Sequence, residues 1–106
     1  MQLGASRVIS NSGFGIVFQL GMAVDDLVSK RIEKNIKIMN MSVFYGIDST
    51  LRQKINTAAN NGIVMVTIAG NNGVSGGAVT DPGRAAMALT MAGANDINQL
   101  TEYTSL

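Results

Sequence analysis

The chain has 106 residues, of which 46% are hydrophobic and only 14% charged, with a formal net charge of +1. A chain of this length can bury roughly two-thirds of the surface its unfolded form exposes, enough for one small core, and a charge content below the roughly 25% of an average soluble domain suits the interior of something larger. Cysteine and histidine are absent, which excludes disulfides, thiolate chemistry, the usual zinc ligands and a Ser-His-Asp triad within these residues, and the basic residues form no dense cluster of the kind that a nucleic acid partner requires.

In chain order, Arg7 to Ser10 reads as a short strand and Asn11-Ser12-Gly13 as the turn that ends it, since glycine permits positive φ and Asn or Ser can cap a helix starting just after. A helix is expected from there. Val17, Leu20, Val24, Leu27 or Val28, and Ile32 recur at helical spacing, Asp26 and Lys30 can pair four residues apart on the outer face, and Asn35 is the expected end. The apolar stretch from Phe14 to Val24, with Arg7 ahead of it and the small-residue Gly21-Met22-Ala23 near its end, has the outline of a signal-peptide core. An amphipathic helix is the better reading, because the positive region is one arginine, Gln19 interrupts the run and the helical pattern continues past it. No segment reaches the roughly 18 to 20 apolar residues of a membrane span, so a membrane is not an expected partner.

Ile36 to Val43 then reads as a mostly buried strand. Asp48, Ser49 and Thr50 offer caps for a second helix, and Thr50 with Gln53 fits a capping box. Leu51, Ile55, Ala58 and Ala59 form its packing face, and Asn61-Gly62 ends it, as glycine tolerates the left-handed conformation common just past a helix. Ile63 to Ala69 is a continuous β-branched and apolar run, the pattern of a parallel strand covered on both faces. Gly70-Asn71-Asn72-Gly73 breaks it, a Gly-rich loop with the only proline, Pro82, continues to Gly83, and Ala88 to Ala92 reads as another buried strand. The order implies an α/β fold, a three-layer arrangement of a parallel β-sheet with right-handed crossover helices.

Ligands of open parallel sheets bind outside the carboxyl ends of the strands, which directs attention to Ser42 to Gly46 and Gly70 to Gly73. There Ile38-Met39-Asn40-Met41-Ser42 resembles the I-N-M-S strand of the subtilisin-like serine proteases, the subtilases, and Ile68-Ala69-Gly70-Asn71-Asn72-Gly73 resembles their A-A-G-N-x-G element. Asp81-Pro82-Gly83 falls where the family has a Y-P-A or Y-P-G turn, and Ala92-Gly93-Ala94-Asn95-Asp96 matches V-G-A-x-D. The four elements stand in the family's order with a helix of suitable length between the first two, and the resemblance extends over residues 5 to 106.

The resemblance implies a partial subtilisin-like fold in which residues 1–106 form a single partial domain. It implies that Asn71 is the side-chain donor of an oxyanion hole, that Ser42, Val43 and Phe44 line the edge where substrate backbone adds as a strand, and that Ala69 and Gly70 form the other wall of the specificity pocket. Local sequence alone favours a role for Asn71 as a turn residue beside Gly70, and it is the ordered motifs that point to the oxyanion role. The family has a glycine soon after the serine, whereas Val43-Phe44-Tyr45 places bulk there, and Phe44 and Tyr45 suit packing on a neighbouring loop as well as binding. The resemblance also implies a cis Asp81-Pro82 bond, and calcium-binding loops in a full-length parent; Asp81 and Asp96 make no metal site here, and no cofactor is assigned to this chain.

The rest of the family's chemistry has no counterpart: nothing matches the D-T/S-G strand, the H-G-T-H helix or the G-T-S-M-A helix that carry the triad. The histidine-free Ser-Glu-Asp relatives also require a G-T-S nucleophile and typically have aspartate where Asn71 stands. Ser29 beside Lys30 points elsewhere on its helix, and Ser10, Ser12, Ser49 and Ser75 have no evident base. Lys30, Arg31, Lys34 and Lys37 read as a solvated face near a helix C-terminus rather than an anion site, and Gly13-x-Gly15 lacks the rest of a dinucleotide fingerprint. The expectation is a central segment of a subtilisin-like endopeptidase, inactive alone, with a peptide or protein substrate in the full-length parent. The second reading is a non-catalytic α/β interaction module or protease remnant, self-associating through exposed sheet faces or edges.

Overall fold

The structure, a computed structural model, describes residues 1–13, 15–73 and 77–105; Phe14, Ser75 and Leu106, which entered the sequence reading, lie outside the described residues. Five elements stand in order: α1 (Val17–Ser29), β1 (Ile38–Met41), α2 (Ser49–Asn60), β2 (Val64–Ile68) and β3 (Leu89–Met91). The strands form one parallel sheet in the order β1-β2-β3, giving the α/β class that the alternating pattern implies.

Arg7 to Ser10 is not a strand. Among the described residues β1 is bonded only to β2, so no strand lies beside this segment, and an unpaired extended stretch gains nothing from its β propensity. α1 begins at Val17, after Ile16 in extended conformation and without a side-chain cap, rather than at the Asn11-Gly13 turn. It also ends six residues before Asn35. Arg31 Nη1 donates to Val28 O at 2.8 Å, so a side chain satisfies a carbonyl that another helical turn would have used, while Ser29 Oγ and Lys30 N both donate to Asp26 O, at 2.7 and 3.1 Å. Residues 30–35 are turns, Asn35 takes φ 51°, and Ile32 is left exposed outside the helix. The Asp26–Lys30 pair forms at 2.9 Å.

α2 is capped by Asp48, whose carboxylate accepts from Leu51 N at 2.8 Å, and not by the Thr50-Gln53 box. Asp48 is extended, as a cap must be, while Thr50 already lies inside the helix. Leu51, Ile55 and Ala58 are buried as expected, and Gly62 ends the helix at φ 86°. α1 packs against α2, and Gly21 permits the approach: a Cβ there would lie 3.3 Å from Lys54 Cδ, and Lys54 Nζ passes on to pair with Asp25.

Alternation along the strands fixes which side chains meet the helices. Met39, Met41 and Met65 join Leu20, Val24, Leu51, Ile55, Ala58, Ile63 and Ala85 in one core. On the opposite face Ile38, Val64, Leu89 and Met91 are about half exposed or more. β2, expected to be covered on both faces, is thus covered on one; the described residues supply the sheet and one helical layer. On the covered face Thr90 Oγ1 donates to Gly83 O at 2.7 Å and so accepts from Thr67 Oγ1 at 3.0 Å, tying the loop before β3 under the sheet.

Candidate functional site

The carboxyl ends of β1 and β2 run into two loops, Ser42 to Asp48 and Ala69 to Gly73. Met41 is opposite Thr67 in the parallel register, so extending the strands by three residues brings Phe44 level with Gly70. The structure has that contact. A Cβ built on Gly70, which is buried at φ 107°, would sit 3.6 Å from Phe44 Cγ and 3.1 Å from Ser105 Oγ. Glycine is required by the backbone conformation and by the space.

Ala69 is buried and its N–H donates to Met91 O at 2.8 Å, so β2 and β3 stay joined up to the start of the loop. Ser42 is exposed, with Asn40 Nδ2 3.4 Å from its Oγ, and Val43 turns inward against the core. Asn71 is exposed at the carboxyl end of β2, and among the described residues nothing takes its side-chain amide. Its loop is fastened by residues 103 to 105. Ser105 N donates to Gly70 O at 3.0 Å, Asn72 N to Ser105 Oγ at 3.0 Å and Gly73 N to Tyr103 O at 2.9 Å. Thr104 Oγ1 accepts from Gly93 N at 3.0 Å, and Thr104 and Ser105 are both buried.

The other loop is fastened by Asp81. Its backbone bridges the two segments, with Tyr45 N donating to Asp81 O at 2.9 Å and Asp81 N to Gly46 O at 3.2 Å. Its carboxylate, fully buried, accepts from Asp48 N at 2.7 Å and from both Arg52 Nε and Arg52 Nη2 at 3.0 Å. Burial pushes this carboxyl up, but the bonds from Arg52 and Asp48 N–H and the charges of Arg52 and Arg84 outweigh it, so Asp81 lies below the usual carboxylate range. Asp81 in turn raises Arg52 through the same bond, against a smaller opposing effect of desolvation. The Asp81-Pro82 bond is cis, as the resemblance implies.

An open cleft of about 400 Å³ adjoins this loop, lined by Gly15, Ile16, Val17, Tyr45, Ile47 and Asp48 among others. The Tyr45 hydroxyl is buried with no hydrogen-bond partner among the described residues, and desolvation raises its pKa. No group of three or more metal-ligating residues occurs among the described residues, and none of their helices is long and apolar enough to cross a membrane.

The structure therefore brings Phe44 to Gly70 and places Asn71 beside them, while Val43 belongs to the core. Sequence reasoning missed Arg52, Thr104 and Ser105. Asp81 entered it as a turn residue and a discounted metal ligand, and nothing local links it to an arginine 29 positions earlier.

A parallel sheet with glycine-rich loops at the carboxyl ends of its strands belongs to the open-sheet α/β class, whose members bind ligands at that edge. Within that class the sequence model of the Subtilase family matches residues 1–106, and the chain belongs to this family. Among solved structures, it superposes on Sphericase with a TM-score of 0.82 at 26% identity, covering 92% of this chain and 34% of that one. A cold adapted subtilisin-like serine proteinase superposes with a TM-score of 0.79 at 22% identity, covering 93% and 35%. The chain spans about a third of the length of these structures.

Proposed function

We propose that residues 1–106 are one partial domain, the central segment of a subtilisin-like endopeptidase, which supplies an oxyanion donor and part of the substrate wall. The observation that carries this reading is the Asn71 amide, exposed on a loop whose backbone is held on both sides by Ser105 and Tyr103. Peptide hydrolysis places negative charge on the former carbonyl oxygen as the carbonyl carbon becomes tetrahedral. An N–H already fixed toward that position stabilises the transition state without reorganising. Asn71 contributes that donor, and Ser42 with Phe44 borders the substrate backbone. On this reading the base and the nucleophile come from sequence beyond these residues, since the chain contains no histidine and no G-T-S-M-A element.

This reading makes the 106-residue chain inactive alone. A fluorophosphonate is expected to leave it unlabelled, and an adduct on any of its serines would overturn the assignment. In the full-length protease Asn71→Ala is expected to lower kcat about 100- to 1000-fold with little change in KM, a magnitude carried over from a subtilisin oxyanion donor. The second reading, a non-catalytic module that self-associates, is favoured by the open sheet face of Ile38, Val64, Leu89 and Met91. A defined dimer of the native 11.1 kDa chain in sedimentation would support it, and a native species much larger than 11.1 kDa would favour the protease.

A further inference from the structure

Two asparagines of the chain are followed by glycine, Asn61-Gly62 and Asn72-Gly73. In such a pair the glycine nitrogen can close a five-membered ring on the asparagine carboxamide carbon, since no Cβ on the following residue obstructs the approach. The reaction needs a carboxamide free to turn and a glycine N–H released from its own hydrogen bond. The fold treats the two pairs differently. Asn61 caps the carboxyl end of α2, its Nδ2 donates to Thr57 O at 2.8 Å and Gly62 N donates to Ala59 O at 3.0 Å. The next residue, Ile63, is buried in the core with its N–H on Ala58 O, so freeing that pair means unravelling the helix end. Asn72 is exposed, and among the described residues no hydrogen bond holds its carboxamide. Its N–H and that of Gly73 are held by Ser105 Oγ and Tyr103 O, at 3.0 and 2.9 Å, in a segment that belongs to no helix or strand. Two bonds to one short stretch, rather than a helix and the core, keep Asn72 from the reactive arrangement, which places it at the low-stability end of local opening.

We infer that Asn72 is a site of spontaneous deamidation whose rate is set by the fastening of its loop to residues 103 to 105. When those bonds open, water or hydroxide takes the Gly73 N–H proton and the nitrogen attacks Asn72 Cγ. A C–N bond forms, the bond from Cγ to Nδ2 breaks, and Nδ2 leaves as ammonia with a proton returned from water. Water then opens the cyclic imide, at Cγ to give aspartate or at the Asn72 main-chain carbonyl to give isoaspartate. The conversion does not depend on the protease reading; where that reading holds, it sets a negative charge one residue from the amide that faces a negative oxygen.

The test is peptide mapping of the native protein after incubation in mildly alkaline buffer, read for aspartyl and isoaspartyl products at both positions. Asn72 is expected to convert about tenfold or more faster than Asn61, whereas in concentrated urea, with the helix end and the loop both gone, the two convert at similar rates. An Asn72 that stays unmodified, equal rates in the native protein, or a gap of the same size in urea overturns the inference. Ser105→Ala removes the bond to Asn72 N–H and is expected to speed Asn72 severalfold while Asn61 keeps its native rate. Unchanged rates at both positions overturn the control by residues 103 to 105. A variant that unfolds speeds Asn61 as well, and the comparison of native and urea-unfolded protein then decides by itself.

Discussion

Replacing Arg52 by methionine tests the account of how the two loops are held. The substitution keeps the aliphatic stem and removes both guanidinium bonds, leaving Asp81 with one strong donor, Asp48 N–H, in a place with no access to water. Stranding a buried carboxylate costs roughly 3 to 5 kcal/mol. The remaining N–H and the nearby Arg84 charge put the expected cost at the low end, about 3 kcal/mol at neutral pH. The sign of the pH dependence then separates charge from packing. In the native chain Asp81 is depressed, so its contribution is fully present above the unfolded carboxylate pKa of about 3.9 and is lost as pH falls through the lower folded value. In Arg52→Met burial dominates and raises Asp81, so protonation relieves the penalty and the variant recovers as pH falls. Urea unfolding of both chains from pH 7 downward is expected to show the gap closing as the pH is lowered. A cost below about 0.5 kcal/mol at pH 7, the scale of an ordinary surface substitution, or a gap that stays constant with pH, would refute the reasoning.

Asp48→Ala removes the side-chain cap of α2 and is expected to cost about 1 kcal/mol, whereas Thr50→Ala, inside the first turn, falls within about 0.5 kcal/mol; denaturant midpoints of the two variants decide between the cap and the capping box. Gly83→Ala places a Cβ 2.5 Å from Ile68 O and 2.9 Å from Val79 Cγ1, and overpacking against backbone there is expected to cost at least about 1 to 3 kcal/mol. Gly46→Ala meets nothing within 4 Å and is expected to be neutral or to stabilise by up to about 1 kcal/mol, so equal thermal midpoints for the two glycine variants would contradict the loop geometry.

The elements most legible in the sequence were those whose signals are local. The apolar run before Ala69 gave β2, Gly62 gave the end of α2, and Asp48 stood among the named caps. The strand at Arg7 to Ser10 failed because strand formation depends on a neighbour, which no reading of four residues supplies. α1 ran short where the Arg31 side chain takes the Val28 carbonyl, a matter of side-chain geometry rather than periodicity. At the site, the order of short motifs led to Asn71, Phe44 and Gly70, but the bonds that hold them join residues 29 to 36 positions apart. A buried Asp81 and a buried Ser105 look in sequence like any turn residues, and only the tertiary fold makes them partners.

The fastening of Gly70 and Asn72 by Ser105 also orders events in time. A chain made from its amino end presents β1, α2 and β2 to one another well before residue 105 exists. Until then the Gly70 carbonyl and the Asn72 N–H have only water to bond. The helices and the sheet can therefore assemble on a growing chain while the loop that carries Asn71 stays unset, and its shape is acquired with nearly the last residues of the segment.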